Sequence, residues 1–336
     1  MEGSWTRCQR PSGGIRHPYD PDVPGSPFVS YAQNREDVVL WRALGHIPEG
    51  RYVDVGANDP RVDSVTRAFY EAGWSGLTVE PVPALATAQR ADRPRDTLLE
   101  VAMGDEIADA VTLHVIEGTG LSTLADDVSA AHAASGLVPV DVSVPATTLD
   151  VALSEAGFEG LDLHFVVIDV EGAEPAVLRG FDLARWRPWA LVVEATAPRS
   201  VRATHEAWEP GVLAAGYEFC LFDGLSRFYV SPEHPELRDA LSRPASPLDE
   251  YDTDVDRQRR ETIARLEQEN SNVTEELVRW RSRALTRWAE RSDAPPAGRA
   301  EDQHRIATLE KELAATRATL SWRITAPLRA VRGLGR

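Results

Sequence analysis

Two cysteines in 336 residues, Cys8 in a polar tail and Cys220 inside an apolar strand, leave no material for a disulfide framework or a cysteine-rich metal cluster. Lysine is almost missing as well. Lys311 is the only one, so arginine carries the positive charge, a bias in keeping with a GC-rich bacterial genome. With 36 basic against 53 acidic residues the net charge is −17, which argues against a general nucleic-acid binder, since phosphate neutralisation needs clustered Lys and Arg. Apolar runs long enough to span a bilayer are lacking, and the Pro/Gly-rich opening, residues 11–27, has no signal-peptide core. A cytoplasmic protein is the expectation.

What is present begins with Asp54-Val55-Gly56-Ala57-Asn58-Asp59-Pro60, after the apolar pair Tyr52-Val53 and ahead of Leu77-Thr78-Val79-Glu80. The order reads as strand, glycine turn, helix and a second strand ending in a carboxylate. A Rossmann-like sheet binds adenosine this way: Gly56 lets the backbone approach the ligand, and Glu80 accepts hydrogen bonds from the ribose hydroxyls. Phosphate-bearing cofactors use several glycines here and no nearby carboxylates. This loop has no second or third glycine, and Asp54, Asp59 and Asp63 surround the phosphate position. Asp59 before Pro60 reads as an N-cap with proline at the first helical position. A phosphate-free ligand with an ammonium and a sulfonium, S-adenosylmethionine, suits the charge. The plainer alternative is that Asp54 and Asp59 only turn and cap the chain.

Residues 1–27 read as a disordered leader. Apolar runs ending in acidic or small residues recur at 51–55, 76–80, 98–102, 165–170 and 190–195, separated mostly by helical patterns. Two shorter strands, 111–116 and 140–144, elaborate the middle, and 217–222 with Asp223-Gly224 and 227–230 form a hairpin signal. The expected fold is α/β: a doubly wound, Rossmann-like sheet with a terminal antiparallel hairpin, followed by a helical tail. The catalytic domain is set at 28–231 and a linker at 232–258. At 259–320, Ile263, Leu266, Asn270, Val273, Leu277, Trp280 and Ala284 alternate spacings of three and four, a coiled-coil seam that predicts a homodimer. Ala294-Pro295-Pro296-Ala297-Gly298 interrupts it, and Ile306, Leu309, Leu313, Thr316 and Leu320 resume it. A single amphipathic helix lying on the catalytic domain is the alternative. Residues 321–336 form a basic tail that could touch a membrane surface or simply remain solvated. Truncation after Ser246 is expected to leave a folded, cofactor-binding monomer.

Val166-Val167-Ile168-Asp169-Val170-Glu171-Gly172-Ala173-Glu174 is the second dense site. Ligands bind beyond the carboxyl ends of parallel strands, so Asp169, Glu171 and Glu194 should converge opposite the methionine part of the cofactor. Three carboxylates could bind Mg2+, or one could act as general base toward a hydroxyl. Glu174 reads equally as a cap of the helix that starts near Ala173. His114, His132, His164 and His205 are weaker candidates for the base. Asp105, at a third strand end, could meet the adenine amino group or be a turn carboxylate.

Tyr31-Ala32-Gln33-Asn34 with Glu36-Asp37, Val53-Asp54-Val55-Gly56-Ala57-Asn58, Val79-Glu80-Pro81, Thr148-Leu149-Asp150, Ile168-Asp169-Val170-Glu171-Gly172-Ala173-Glu174 and Asp223-Gly224-Leu225-Ser226-Arg227-Phe228-Tyr229-Val230 occur in this order. Together they resemble the FkbM family of S-adenosylmethionine-dependent methyltransferases. The resemblance implies a class I methyltransferase fold and O-methylation of a sugar, glycan or polyketide-type hydroxyl. It implies cofactor contacts at Asp54, Gly56, Asn58, Glu80 and Asp105, and active-site roles for Asp169 and Glu171. Many relatives have a lysine two residues before the strand-end aspartate, where this chain has Val167. The Ser-Trp-Arg-Ile-Thr-Ala-Pro-Leu-Arg ending is similar to tails of bacterial glycosyltransferases and cell-surface polysaccharide enzymes, so glycosyltransferase partners are expected. A non-catalytic scaffold assembling a polysaccharide-synthesis complex through its coiled coil is the alternative function.

Overall fold

The computed structural model describes residues 28–116, 118–292 and 299–325. The expected leader, the interruption at 294–298 and most of the basic tail lie outside the described residues. The chain divides into two units, Met1–Arg260 and Glu261–Arg336.

In the first unit β1 (Phe28–Ser30) leads into α1 (Glu36–Leu44). An alternating half follows: β2 (Arg51–Val55), α2 (Arg67–Glu71), β3 (Ser75–Val79), α3 (Pro83–Asp92) and β4 (Thr97–Leu99). An excursion comes next, with β5 (Ala102–Gly104), β6 (Ala108–Val115), α4 (Asp126–Ala134), β7 (Val140–Thr148) and α5 (Leu149–Glu155). The second half contains β8 (Phe165–Ile168), α6 (Glu174–Arg179), α7 (Leu183–Trp186), β9 (Ala190–Glu194), α8 (Glu209–Ala214), β10 (Glu218–Phe222) and β11 (Ser226–Val230). Then come α9 (Arg238–Leu241), β12 (Tyr251–Thr253) and the long α10 (Asp254–Ser292), on which the unit boundary falls. The second unit also holds α11 (Arg299–Ala318) and α12 (Leu320–Ile324).

Seven strands form the main sheet in the order β10-β11-β9-β8-β2-β3-β4. β9, β8, β2, β3 and β4 run parallel, and β11 enters antiparallel between β9 and β10. The expected hairpin therefore inserts its second strand into the sheet. Its turn is tied by Asp223 Oδ1, which accepts from Leu225 N at 2.9 Å and Ser226 N at 2.7 Å.

β-branched and aromatic residues fill the central strands, and their alternation feeds two cores. Tyr52, Phe165, Val167, Ala190 and Val192 pack into one cluster with Trp41, Phe69 and Trp74. Val53, Val55, Val166, Ile168, Leu191 and Val193 pack into the other with Leu149, Leu153 and Val177. A sheet buried on both faces is doubly wound. Because β2 has β3 on one side and β8 on the other, the loops leaving β2 and β8 diverge and open a crevice at their carboxyl ends.

Two expectations need correction. The run at 98–102 is not one strand: β4 ends the main sheet, and β5 joins β7 and β6 in a separate three-stranded sheet. Residues 232–258 are not a free linker, because Leu237 and Leu241 are buried in the core and β12 pairs in parallel with β1. Arg42 also reaches across to this segment, donating to Asp249 at 2.7 Å and to the carbonyls of Ala240 and Arg243 at 2.7 and 2.8 Å.

The Tyr31–Asp37 motif is part of this fastening. Asp37 accepts from Ser30 Oγ and Tyr31 N, both at 2.7 Å, and from Ala32 N at 3.2 Å, while Asn34 Nδ2 donates to the Asp223 carbonyl at 3.2 Å. In the second unit the seam residues Ile263, Leu266, Val273, Leu277 and Trp280 are all exposed. Among the described residues, no helix is long and apolar enough to cross a membrane.

Candidate active site

A cavity opens at the switch point. It is lined by Gly56 and Asn58 after β2, by Glu80, Pro81 and Val82 after β3, and by Asp169, Val170 and Glu171 after β8. Leu85, Met103, Leu113 and Leu124, from α3 and the excursion, complete an apolar wall that sequence reasoning missed. These residues are separated by long stretches of chain, and only the fold brings them together.

Gly56 has φ +89, and a Cβ there would sit 1.8 Å from the Asp169 carbonyl oxygen. The expectation that glycine admits the ligand is thereby sharpened: it first admits the end of β8. Asp169 N donates to Val55 O at 3.0 Å, and Gly56 N and Ala57 N donate to Val79 O at 3.1 and 3.0 Å, so three strand ends share one knot. Asn58, at φ +47, donates its N–H to Glu80 Oε2 at 2.9 Å, and Val82 N donates to Oε1 at 2.7 Å. Gln89 Nε2 holds the carbonyls of Ala57 and Asn58 at 3.1 and 3.0 Å. Burial pushes the Glu80 carboxyl up to about 7.

Asp54 stands apart from the cavity lining. Strand alternation turns it to the face opposite Val53 and Val55, where Thr66 Oγ1–H donates to it. Arg93, whose guanidinium donates to Thr66 Oγ1 at 2.9 Å and to Asp96 at 2.8 Å, supplies the neighbouring positive charge. Asp54 thus anchors the loop from behind. Asp59 accepts from Arg61 N and Val62 N, both at 2.8 Å, in a turn, and the helix starts only at Arg67. Asp105 lies outside the site: it follows β5 in the small sheet and pairs with Arg179 at 2.8 Å.

The segment after β8 builds the acidic rim of the cavity. Glu171 and Gly172 have φ +52 and +103, and this tight reversal is clamped by Glu174 Oε1, which accepts from Val170 N at 3.2 Å and Gly172 N at 3.0 Å. Glu174 is therefore a loop clamp at the start of α6. Carboxylate oxygens of Asp169, Glu171 and Glu194 lie within 4.8 Å of one another. Burial and mutual repulsion raise Glu171 to about 8 and Glu194 further; burial raises Asp169 as well, to about 6, with the neighbouring Glu194 carboxyl limiting the rise. Of the three, Asp169 is raised least, so it is the first to ionise as pH rises.

None of the candidate histidines lines this cavity. His114 lies between Asp126 and Asp141, His164 packs edge-on against Trp74 and at a tilt against Trp189, and His205 faces Glu209. Val167, 4% exposed, packs in the core beside Asp54 in the register, so the strand carries no lysine toward the rim.

An apolar wall, an acidic strand end and a rim of carboxylates meet at the switch point of a doubly wound sheet, where such sheets bind their ligands. The chain belongs to the FkbM family of S-adenosylmethionine-dependent methyltransferases: the family model described as the methyltransferase FkbM domain matches residues 54–242. Among solved structures it is similar to a TehB-like SAM-dependent methyltransferase from Corynebacterium glutamicum, at 12% identity and a TM-score of 0.32, covering 58% of this chain and 87% of that chain. That likeness is slight, and the family match carries the assignment. No curated protein matches the sequence.

Proposed function

We propose that the protein transfers a methyl group from S-adenosylmethionine to a hydroxyl of a glycan, sugar or related natural-product acceptor. The observation that carries this reading is the charge of the cavity: Glu80, Asp169 and Glu171 line it, and none of the described lining residues is basic. A cofactor bearing phosphate would be repelled, whereas an adenosine with a sulfonium and an ammonium is attracted. Glu80 has lone pairs beyond those held by Asn58 N and Val82 N, and these suit ribose hydroxyls. The apolar wall of Val82, Leu85 and Met103 suits an adenine face.

Bound there, the cofactor would supply an electrophilic methyl group. The protein must hold the acceptor hydroxyl in line and take its proton. That role falls to Asp169, whose carboxyl is raised least of the three and ionises first, with Glu171 and Glu194 beside it. Glu171, projecting from its left-handed backbone, is placed to accept a second hydroxyl of the acceptor. Mg2+ at the three carboxylates is a second reading, favoured by the hard oxygen donors; a chelator would then abolish turnover, which the general-base reading does not expect. The exposed seam of α10 supports pairing with a second copy.

The test is mass spectrometry of surface glycans and small saccharides from a deletion strain complemented with wild-type protein or with Asp169→Asn. The reading expects one product to lack a methyl ether in the deletion strain and the Asp169→Asn strain, and to regain it with wild type. Unchanged products in all three would leave the scaffold alternative standing.

A further inference from the structure

A second concavity opens beside the carboxylate rim, between α4 and the loop that follows β9. Its α4 wall carries Asp127, Val128 and His132, and the opposite wall carries Ala197, Arg199 and Arg202. Both walls grow out of the rim itself. Thr123 Oγ1, just before α4, donates to the Glu171 carbonyl at 2.8 Å, and a Cβ on Gly172 would lie 3.1 Å from Val128 Cγ2. The other wall begins three residues after Glu194 and is folded back on itself, with Ala197 N donating to Arg202 O at 2.8 Å and Ser200 N to Ala197 O at 2.9 Å.

Although Asp127 lies on its α4 wall, this concavity carries two arginines where the described lining of the other cavity carries none. Arg42, Arg67 and Arg93 in the same unit are matched by carboxylates, but Arg199 and Arg202 have no ion-pair partner among the described residues. Arg199 reaches only Ser135 Oγ, at 3.4 Å. His132 is 4% exposed, yet neither ring nitrogen has a hydrogen-bond partner. Buried polar atoms left unpaired in a folded protein are uncommon, and a ligand is one way to complete them. Burial and Arg199 push the His132 imidazole down, so it meets a ligand as a neutral donor and acceptor.

We propose that this concavity is the acceptor subsite for an anionic group, a sugar carboxylate or a phosphate, gripped by Arg199 and Arg202 with His132 beneath them. The role rests on the methyl-transfer reading, since the groove flanks the rim where the acceptor hydroxyl must lie. Guanidinium pairs suit both anions, because each offers two oxygens to the planar fork. An acidic protein that must admit an acidic acceptor beside the Asp169 carboxylate needs local positive charge to offset repulsion, and the loop at 199–202 supplies it.

The experiment follows the His132 ring resonances, assigned with His132→Gln, in the full chain with labelled histidine. Glucuronate, glucose 1-phosphate and neutral glucose are titrated separately, and S-adenosylmethionine binding is measured by calorimetry on the same samples. A saturable His132 shift is expected with one or both anions and none with glucose, and the apparent affinity should fall about tenfold or more in an Arg199→Ala/Arg202→Ala variant. A response to only one anion assigns the group to that source. An unmoved His132 with all three probes, or an undiminished response in the double variant, overturns the subsite. Both residues are exposed, so the variant should fold, and its cofactor binding should equal that of wild type. A wild-type chain that binds cofactor but shows no anion response defeats the subsite alone; absence of cofactor binding in wild type defeats the methyl-transfer reading.

Discussion

Replacing Gly56 by alanine strikes the knot on which the whole site depends. Two costs add. The first is the left-handed backbone, φ +89, which an L side chain adopts at a cost of about 1–2 kcal/mol. The second is the clash of the new Cβ, 1.8 Å from the Asp169 carbonyl oxygen, where overpacking against backbone costs about 1–3 kcal/mol. Gly73 separates the two: its φ is +98, but nothing lies within 4 Å of its would-be Cβ, so Gly73→Ala carries the backbone cost alone. For a domain of this size each kcal/mol lowers Tm by about 2–4 °C. Gly56→Ala should therefore melt about 2–12 °C below Gly73→Ala in thermal denaturation. It should also weaken cofactor binding, because the displaced carbonyl belongs to the rim carboxylate Asp169. Equal melting temperatures together with wild-type cofactor affinity would refute the reasoning.

Other outcomes follow from the buried carboxylates and the chain boundary. Asp169→Asn should lower turnover by about 10²–10⁴-fold while cofactor affinity changes less than about tenfold. The wild-type rate should rise with pH through about 6, as Asp169 ionises; a flat profile would remove it as the base. Glu36, Glu80, Glu171 and Glu174 sit at about 8, 7, 8 and 7 against an ordinary 4.5. The folded state thus binds more protons, and the stability these groups contribute is complete below about 4.5 and lost as pH rises toward 8. A loss of only about 2 kcal/mol would lower the ligand-free Tm by about 4–8 °C between pH 5 and 8, and a rising Tm would contradict it. Ending the chain after Arg260 should leave a folded monomer by sedimentation, whereas ending it after Ser246 removes Asp249 and β12 and should destabilise the unit by about 2–4 kcal/mol. Equal stability of the two truncations would restore the linker reading.

How much of this could be read in the sequence depends on the range over which each feature is determined. Gly56, Asn58, Glu80, Asp169 and Glu171 were legible because strand-end positions are local, and a parallel sheet brings strand ends to one edge. Asp54 was placed at the cofactor from its motif, although the period of two that carries Val53 and Val55 into one core turns it to the other face. Asp105 was set at the end of a main-sheet strand because the run at 98–102, interrupted only by Glu100, reads as one strand; the break between β4 and β5 shows only in their pairing with different sheets. The packed segment after Ser231 was unreadable because Arg42, about 200 residues away in sequence, supplies its anchor through long-range hydrogen bonds. The subsite residue His132 left only the signal of a histidine within an alanine-rich helix, and its meaning came from the loop packed opposite.

The central claim is that a carboxylate-lined, phosphate-free cavity binds S-adenosylmethionine through Glu80. Calorimetric titration of the full chain with S-adenosylmethionine and with NAD, repeated on Glu80→Ala, tests it most directly. The account predicts binding of the sulfonium nucleoside, a loss of about tenfold or more in Glu80→Ala from the missing charged acceptor, and no binding of NAD. Binding of NAD, or S-adenosylmethionine affinity indifferent to Glu80→Ala, would contradict it.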